Sequence, residues 1–242
     1  MWILSTVLLL IFFGSAWIGS RKLFFIDRLT PPLVLNSLLG LLAFFTLLII
    51  ANSFGLFPQT VAAPFMMGVY TVIGGFFFGY AFRLYKERTK AGNILYQNRS
   101  FWIDHAPNLL AAAIIVFGLY RTSILIDLPV TGIRITSGLS LIGFGLSTWT
   151  LKPVPEFRTD SVLILDRSIS WPDVVSWHWQ SEEVLAIEFM AGSVDHVKRI
   201  KQFTTAVSAA DRKEVEMVLK SKMDDFADER REKLFNGEKT NH

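Results

Sequence analysis

The sequence predicts an α-helical transmembrane bundle of about five spans, followed by a small cytoplasmic α+β domain. Three observations carry this. First, 51% of the residues are hydrophobic, 21 of the 242 are Phe, and the mean hydropathy is +0.39. Second, uncharged runs such as Leu33 to Ile50 approach the roughly 20 residues needed to cross a hydrocarbon core of about 30 Å. Third, the charge is divided. Residues 1–151 hold ten Lys/Arg against four Asp/Glu, and residues 152–242 hold fourteen against seventeen.

The first span covers about 1–19. It has no cation before Arg21, whereas a cleaved signal peptide carries a positive n-region. The cations Arg21, Lys22 and Arg28 follow the apolar run instead, which fits an uncleaved anchor with its N-terminus outside. Thr30-Pro31-Pro32 breaks the chain, and proline suits the first turn of the helix that follows. The second span is 32–51. After the uncharged turn 52–60, the third span is 61–82.

Arg83 to Ile103 is the longest charged interruption among the apolar runs, with five cations and one anion. Such a loop stays in the cytoplasm. The fourth span is 107–125 and the fifth 133–151, the latter diluted by Ser and Gly. On this count the two cytoplasmic loops, 20–31 and 83–106, hold eight Lys/Arg, and the outer connections hold none and two. Trp2 and Tyr120 then fall near the outer boundary, and Trp17, Tyr80, Trp102 and Trp149 near the inner one, as aromatic belts do. The protein is thus expected in the cell inner membrane, with the lipid bilayer as its first partner.

Residues 152–159 (KPVPEFRT) read as a stiff linker, 160–235 as the soluble domain and 236–242 as a disordered tail. Val162 to Leu165 reads as a strand. Val174 to Trp179 alternates, with Val175, Trp177 and Trp179 on one face. Val184 to Met190 places Leu185, Ile187 and Phe189 opposite Glu188. Val197 to Thr204 is a fourth strand. A helix begins at Ser208, where Asp211 three residues on makes a near capping box. Its apolar stripe is Val215, Val218, Leu219 and Phe226, and it runs on into a solvated charged segment.

Ile169-Ser170-Trp171-Pro172-Asp173-Val174, then Trp177-His178-Trp179, a strand ending in Phe189, and a helix with Glu214, Val218 and Leu219 form a recognisable order. It resembles the C-terminal pleckstrin-homology-like domain of small, uncharacterised bacterial integral membrane proteins. The resemblance covers about residues 160–222 and implies a PH-like fold. It implies no catalytic residue.

The absence of cysteine excludes disulfides and thiolate chemistry. The positive charge sits in short loops between apolar runs, which does not suit nucleic-acid binding. No P-loop, no GxGxxG opening a helix and no GxSxG occur. The pair Asp104-His105 reads as a polar helix cap at the membrane interface, and His178 as an exposed strand residue. Arg121, Asp127 and Arg134 read as an interfacial salt-bridge cluster. No ionisable residue falls near a span midplane, which disfavours a pump or carrier. Gly75 with Gly79, and Ser15 with Gly19, have the small-xxx-small spacing that lets helices approach closely.

The expected function is non-enzymatic: an integral membrane protein presenting the cytoplasmic module to a partner or the lipid surface, within a homo-oligomer or larger assembly. The alternative is a transport or channel component. No cofactor or metal is expected. The candidate surface is Lys198, Arg199 and Lys201 with Trp177 and Trp179. Lys86, Arg88 and Lys90 of the basic loop are expected to dock on the acidic domain. A green-fluorescent fusion at His242 is expected to fluoresce and an alkaline-phosphatase fusion there to stay inactive; the reverse pattern refutes this topology.

Overall fold

The structure is a computed structural model. It describes all residues except 1, 24, 27–28, 98–101, 103–104, 124–128, 192–198 and 239–242, with the backbone alone at 152–153, 199 and 234–238. The chain forms two compact units. One is Met1–Tyr85 with Ala106–Leu151; the other is Lys86–His105 with Lys152–His242. The domain boundary expected at 151/152 is therefore incomplete, because the basic connection belongs with the C-terminal segment.

The first unit is built from α1 (Trp2–Ser20), α2 (Pro31–Ser53), α3 (Gln59–Lys90), α4 (Ala106–Arg121) and α5 (Gly132–Thr150). Three of these, α1, α2 and α3, are long and apolar enough to cross a membrane. At 16 residues α4 is shorter; α5 has 19 residues but is diluted by Ser, Thr and Gly. The helix α3 outruns the expected span. It starts at Gln59, passes Pro64 and ends at Lys90. Its 32 residues rise about 48 Å, against a hydrocarbon core of about 30 Å. The helix continues because hydropathy marks where a helix leaves lipid, and nothing in Arg83–Lys90 breaks backbone hydrogen bonding. The expected span 107–125 shortens to a helix ending at Arg121, and Asp127 lies outside the described residues.

Small residues hold the bundle together. A Cβ on Gly75 would meet the Phe12 carbonyl and Ser15 Cβ; one on Gly79 would meet the Ala16 backbone; one on Gly19 would meet the Phe76 carbonyl. The two small-xxx-small pairs thus face each other, α1 against α3, running in the same direction. Ser15 Oγ adds a hydrogen bond to the Val72 carbonyl at 2.6 Å. On the other side of α3, Gly74 abuts the Ser140 backbone of α5, and Gly118 of α4 abuts Gly138. The hydroxyls that dilute α5 are satisfied within it: Ser140 donates to the Ser137 carbonyl at 2.8 Å, and Ser147 to that of Phe144 at 2.7 Å. That removes most of the cost of placing them among apolar groups. By contrast α2 has no buried residue and meets α3 through Phe44 against Phe65, while Phe57 of the connection between them packs on the same ring.

The second unit contains two antiparallel sheets. The strands are β1 (Ile94–Gln97), β2 (Lys152–Arg158), β3 (Ser161–Leu165), β4 (Arg167–Ser170), β5 (Val174–Trp179), β6 (Val184–Ala191) and β7 (Arg199–Ala206). One sheet has the order β1-β2-β3-β4 and the other β5-β6-β7, joined by a 3-10 turn at Trp171–Asp173. The expected linker 152–159 is the strand β2, next to β1. Its two prolines cannot donate to a ladder. They fall where the β2–β3 register shifts, between Lys152 and Glu156, so the strand tolerates them.

The expected strands near 162, 174 and 184 are present; the fourth begins at Arg199 among the described residues. One face assignment changes. Between Val174 and Ser176 the β5–β6 register shifts, leaving Val175 as an extra residue. Val174, fully buried, therefore joins Trp177 and Trp179 against the core in place of Val175. Leu185, Ile187 and Phe189 are buried as a set.

Two helices follow, α6 (Arg212–Asp225) and α7 (Ala227–Glu238), where one continuous helix was expected. The capping box is not made: Asp211 is the N-cap without a side-chain cap bond, because its carboxylate instead accepts from Tyr96 Oη of β1 at 3.2 Å. Val215 and Leu219 seal the core with Phe157, Val162 and Trp171. Each such side chain contributes about 1.5–3 kcal/mol on burial. The break at Phe226 turns α7 back onto the 3-10 turn, where Lys233 Nζ pairs with Asp173 Oδ1 at 2.7 Å.

Replacing Gly79 by Ala puts a methyl group into the Ala16 backbone, and overpacking of this kind costs about 1–3 kcal/mol. Gly14→Ala, where nothing lies within 4 Å, is the control. Thermal unfolding in detergent is expected to show a lowered transition for the first variant and an unchanged or raised one for the second, since Ala is the better helix former.

Candidate functional site

The second unit holds its most unusual chemistry at Glu156. This carboxylate, on β2, is fully buried. Such a charge is tolerated only when paired and hydrogen-bonded. Arg158, two residues along the same strand, donates to Oε2 from Nε at 3.0 Å and from Nη2 at 2.7 Å. Arg88, from the last turn of α3, donates to Oε1 at 3.1 Å. Both carboxylate oxygens are therefore matched by cations from two distant stretches of chain.

Arg158 also reaches the end of α3. Its Nη1 donates to the carbonyls of Arg88 at 3.3 Å and Gly92 at 2.9 Å. Carbonyls in a helix's last turn lack intrahelical partners, and a cation there is favourable. Gly92 has φ +80°, and a Cβ at that position would collide with Thr159. The turn that follows α3 is stitched down by Thr159 N to the Asn93 carbonyl at 3.0 Å and Asp160 N to the Ala91 carbonyl at 3.2 Å. A single-partner truncation at a buried pair of this kind costs about 3–5 kcal/mol.

Of the basic-loop residues named as docking cations, Arg88 makes this ion pair, whereas Lys86 and Lys90 are exposed. Among the described residues the attraction between these cations and the acidic segment is the Arg88–Glu156 pair. The loop does not dock as a loop: Ile94–Gln97 enters the sheet as a strand. Arg99 lies outside the described residues.

Trp177 and Trp179 are partly buried and pack against the core cluster. Trp179 is the more constrained. Its Nε1 donates to Glu216 Oε1 on α6 at 2.9 Å, and the Arg212 guanidinium lies 4.6 Å from its ring centroid. Arg212 Nε also donates to Glu216 at 3.2 Å. Trp179 thus anchors α6 to β5, and both tryptophans are partly buried. The Arg212 hydrogen bond holds the Glu216 carboxyl below the usual glutamate range. Partial burial opposes this, while Trp179 and the charges of Arg212 and Lys220 reinforce it.

Of the candidate surface on β7, Lys198 lies outside the described residues, and Arg199 is placed by its backbone. Lys201 is exposed, and Ile200 between these cations is 64% exposed. In the sequence Ile200 is one more apolar residue of a strand, with no local signal that sets it apart. His178 is exposed, as expected. His105 is exposed in a turn; Asp104 and His196 lie outside the described residues. Among the described residues no group of three His, Asp or Glu is placed to hold a metal. In the first unit, Arg134 Nη1 donates to Ser123 Oγ at 3.2 Å.

The first unit also contains a cavity of about 430 Å³ between α1, α3 and α5, lined by residues such as Leu8, Phe12, Met67 and Leu139. Two of its hydroxyls are already bonded to their own helices, Thr71 to the Met67 carbonyl at 2.6 Å and Thr136 to that of Gly132 at 2.9 Å.

No protein family matches the chain, and no curated protein or solved structure is significantly similar to it.

A carboxyl held low in the folded state adds stability above its unfolded value, about 4.3, and that stability is lost as pH falls through the lowered value. The stability difference between the wild type and Glu216→Gln is therefore expected to be constant from neutral pH to about 4.3 and to shrink below it. Denaturant unfolding at a series of pH values reads this directly; a difference independent of pH across that range refutes it.

Proposed function

We propose that this is a non-enzymatic, multi-pass membrane protein that holds a PH-like module against the cytoplasmic lipid surface. The observation that carries the reading is the second unit's plan. A four-stranded and a three-stranded antiparallel sheet, with a helix that seals the core through Val215 and Leu219, support the PH-like fold that the resemblance implies for about residues 160–222. The three strands not foreseen in the sequence, β1, β2 and β4, bring the total among the described residues to seven.

Five spans are supported by helix direction within the first unit. In α1, α3 and α5 the chain runs one way, since Phe12 and Ala16 meet Gly75 and Gly79, and Met67 and Ser140 meet Gly132 and Gly74. Contacts of Gly118 with Gly138, and of Ile115 with Gly145, run α4 the other way. The ends of α1 and α3 that carry Arg21, Lys22, Lys86, Arg88 and Lys90 then share a side, the cytoplasmic one by the positive-inside bias.

The lipid-facing surface is the start of β7. Ile200 is exposed and projects from the opposite face of the strand to Lys201, which pairs with Phe189; this end of the strand thus offers an apolar anchor and a cation worth about 1 kcal/mol beside anionic lipid. The transport alternative has less support, because the cavity of the first unit is apolar and Thr71 and Thr136 in its wall are bonded to their own helices.

The chain lacks cysteine, so Ile200→Cys gives a single labelling site. An environment-sensitive fluorophore there is expected to shift to the blue in nanodiscs containing anionic lipid relative to zwitterionic ones. Adding Arg199→Glu and Lys201→Glu is expected to abolish the shift. Equal emission in both lipids refutes the lipid-surface reading.

A further inference from the structure

We propose that β1 is a strand lent to the sheet by the connection between two membrane helices, with Arg88, Glu156 and Arg158 as a clamp through which the four-stranded sheet registers the position of α3. The three-stranded sheet takes no strand from that connection and meets it through the shared core and α6.

Covalent structure sets the stage. The single helix α3 ends at Lys90, and β1 begins at Ile94. Between them lies the turn at Gly92, whose positive φ and contact with Thr159 leave it little room to adjust. Any shift in the depth or tilt of α3 must therefore reach β1 within a few residues.

The clamp decides where that shift goes. Glu156 is fully buried and joins the side chain of Arg88 to that of Arg158. Arg158 in turn holds the carbonyls of Arg88 and Gly92. Pulling on α3 thus pulls on β2, because withdrawing Arg88 leaves a buried carboxylate half-matched. By itself the ladder is a weak attachment. β1 has four residues, and its register against β2 shifts between Ile94 and Tyr96. Its one deep anchor is Tyr96, buried and stacked on Phe157 at 5.7 Å, with Oη bonded to Asp211 at the start of α6. In contrast β6 and β7 pair over eight residues without interruption. A short, broken edge strand with a polar clamp is the part of the unit that opens first.

The inference rests on α3 crossing the bilayer but not on the lipid contact at Ile200, and its readout lies in different strands. The test is hydrogen–deuterium exchange on the full chain in nanodiscs of short-chain and long-chain lipid, since mismatch is accommodated by helix tilt. In the wild type, residues 91–97 and 156–160 are expected to exchange at rates that depend on bilayer thickness, while 184–191 do not. Arg88→Met leaves the 2.7 Å Glu156–Arg158 pair in place, so the unit is expected to fold. It should raise exchange in 91–97 by about tenfold or more, the factor that matches 1.4 kcal/mol, and remove the dependence on thickness. Glu156→Gln, which removes the charge, is expected to do the same. Rates in 91–97 and 156–160 that ignore thickness in the wild type overturn the proposal. So does a rise in Arg88→Met spread equally over all strands, which would make the cluster a general stabiliser.

Discussion

A carboxylate that has lost all contact with water must be answered by fixed cations, and Glu156 imposes that requirement on the sheet unit. The answer comes from both sides: Arg158 two residues away and Arg88 sixty-eight residues earlier. Satisfying one buried charge thereby fixes the end of α3, the turn at Gly92 and the edge of β2 as a single assembly. The apolar core then builds outward from the same strand. Phe157, next to Glu156, stacks with Tyr96 and lies 6.2 Å from Trp171. Trp171 in turn donates its indole N–H to the Arg158 carbonyl at 2.8 Å.

The helical unit obeys a different constraint. For helices apolar enough to cross a membrane, one apolar side chain against another offers little advantage over an acyl chain, so close backbone approach decides which of them pack. Ser15 and Gly19 of α1 meet Gly75 and Gly79 of α3, and α5 presents Gly138, Ser140 and Gly143 to its two neighbours. Helices with such a stripe are inside. The helix α2, rich in Leu and with no buried residue, is outside. Composition along each helix thus sorts its place in the bundle, and the Ser-rich character that lowers the hydropathy of α5 is the same feature that lets it pack.

Much of this was legible before any coordinates. Helix ends in the first unit were read to within a residue or two for α1, α2 and α5. The faces of β6 followed from alternation at Leu185, Ile187 and Phe189. Other features were hidden for identifiable reasons. Prolines at 153 and 155 masked β2, because a register shift that accommodates them cannot be seen in one strand alone. Val175 was assigned to the core face because a bulge inverts alternation. Arg88 was singled out as a docking cation, but its partner Glu156 looked like a linker residue. Trp179 reads as a surface residue because its partners, Glu216 and Arg212, lie on a helix more than thirty residues further on.

By itself, the sequence determined which helices are long and apolar enough to cross a membrane, their placement along the chain and the inward faces of the longer strands. These depend on local composition and on a period of 3.6 or 2, both carried by neighbouring residues. Only the tertiary structure decided that the basic connection after α3 is part of the sheet unit, that β1 pairs with β2, and that a buried glutamate is held between two arginines. Those features depend on which distant segments meet and in what register. That is fixed by matching charges and backbone hydrogen bonds in three dimensions, and no short window of sequence contains both halves of the match.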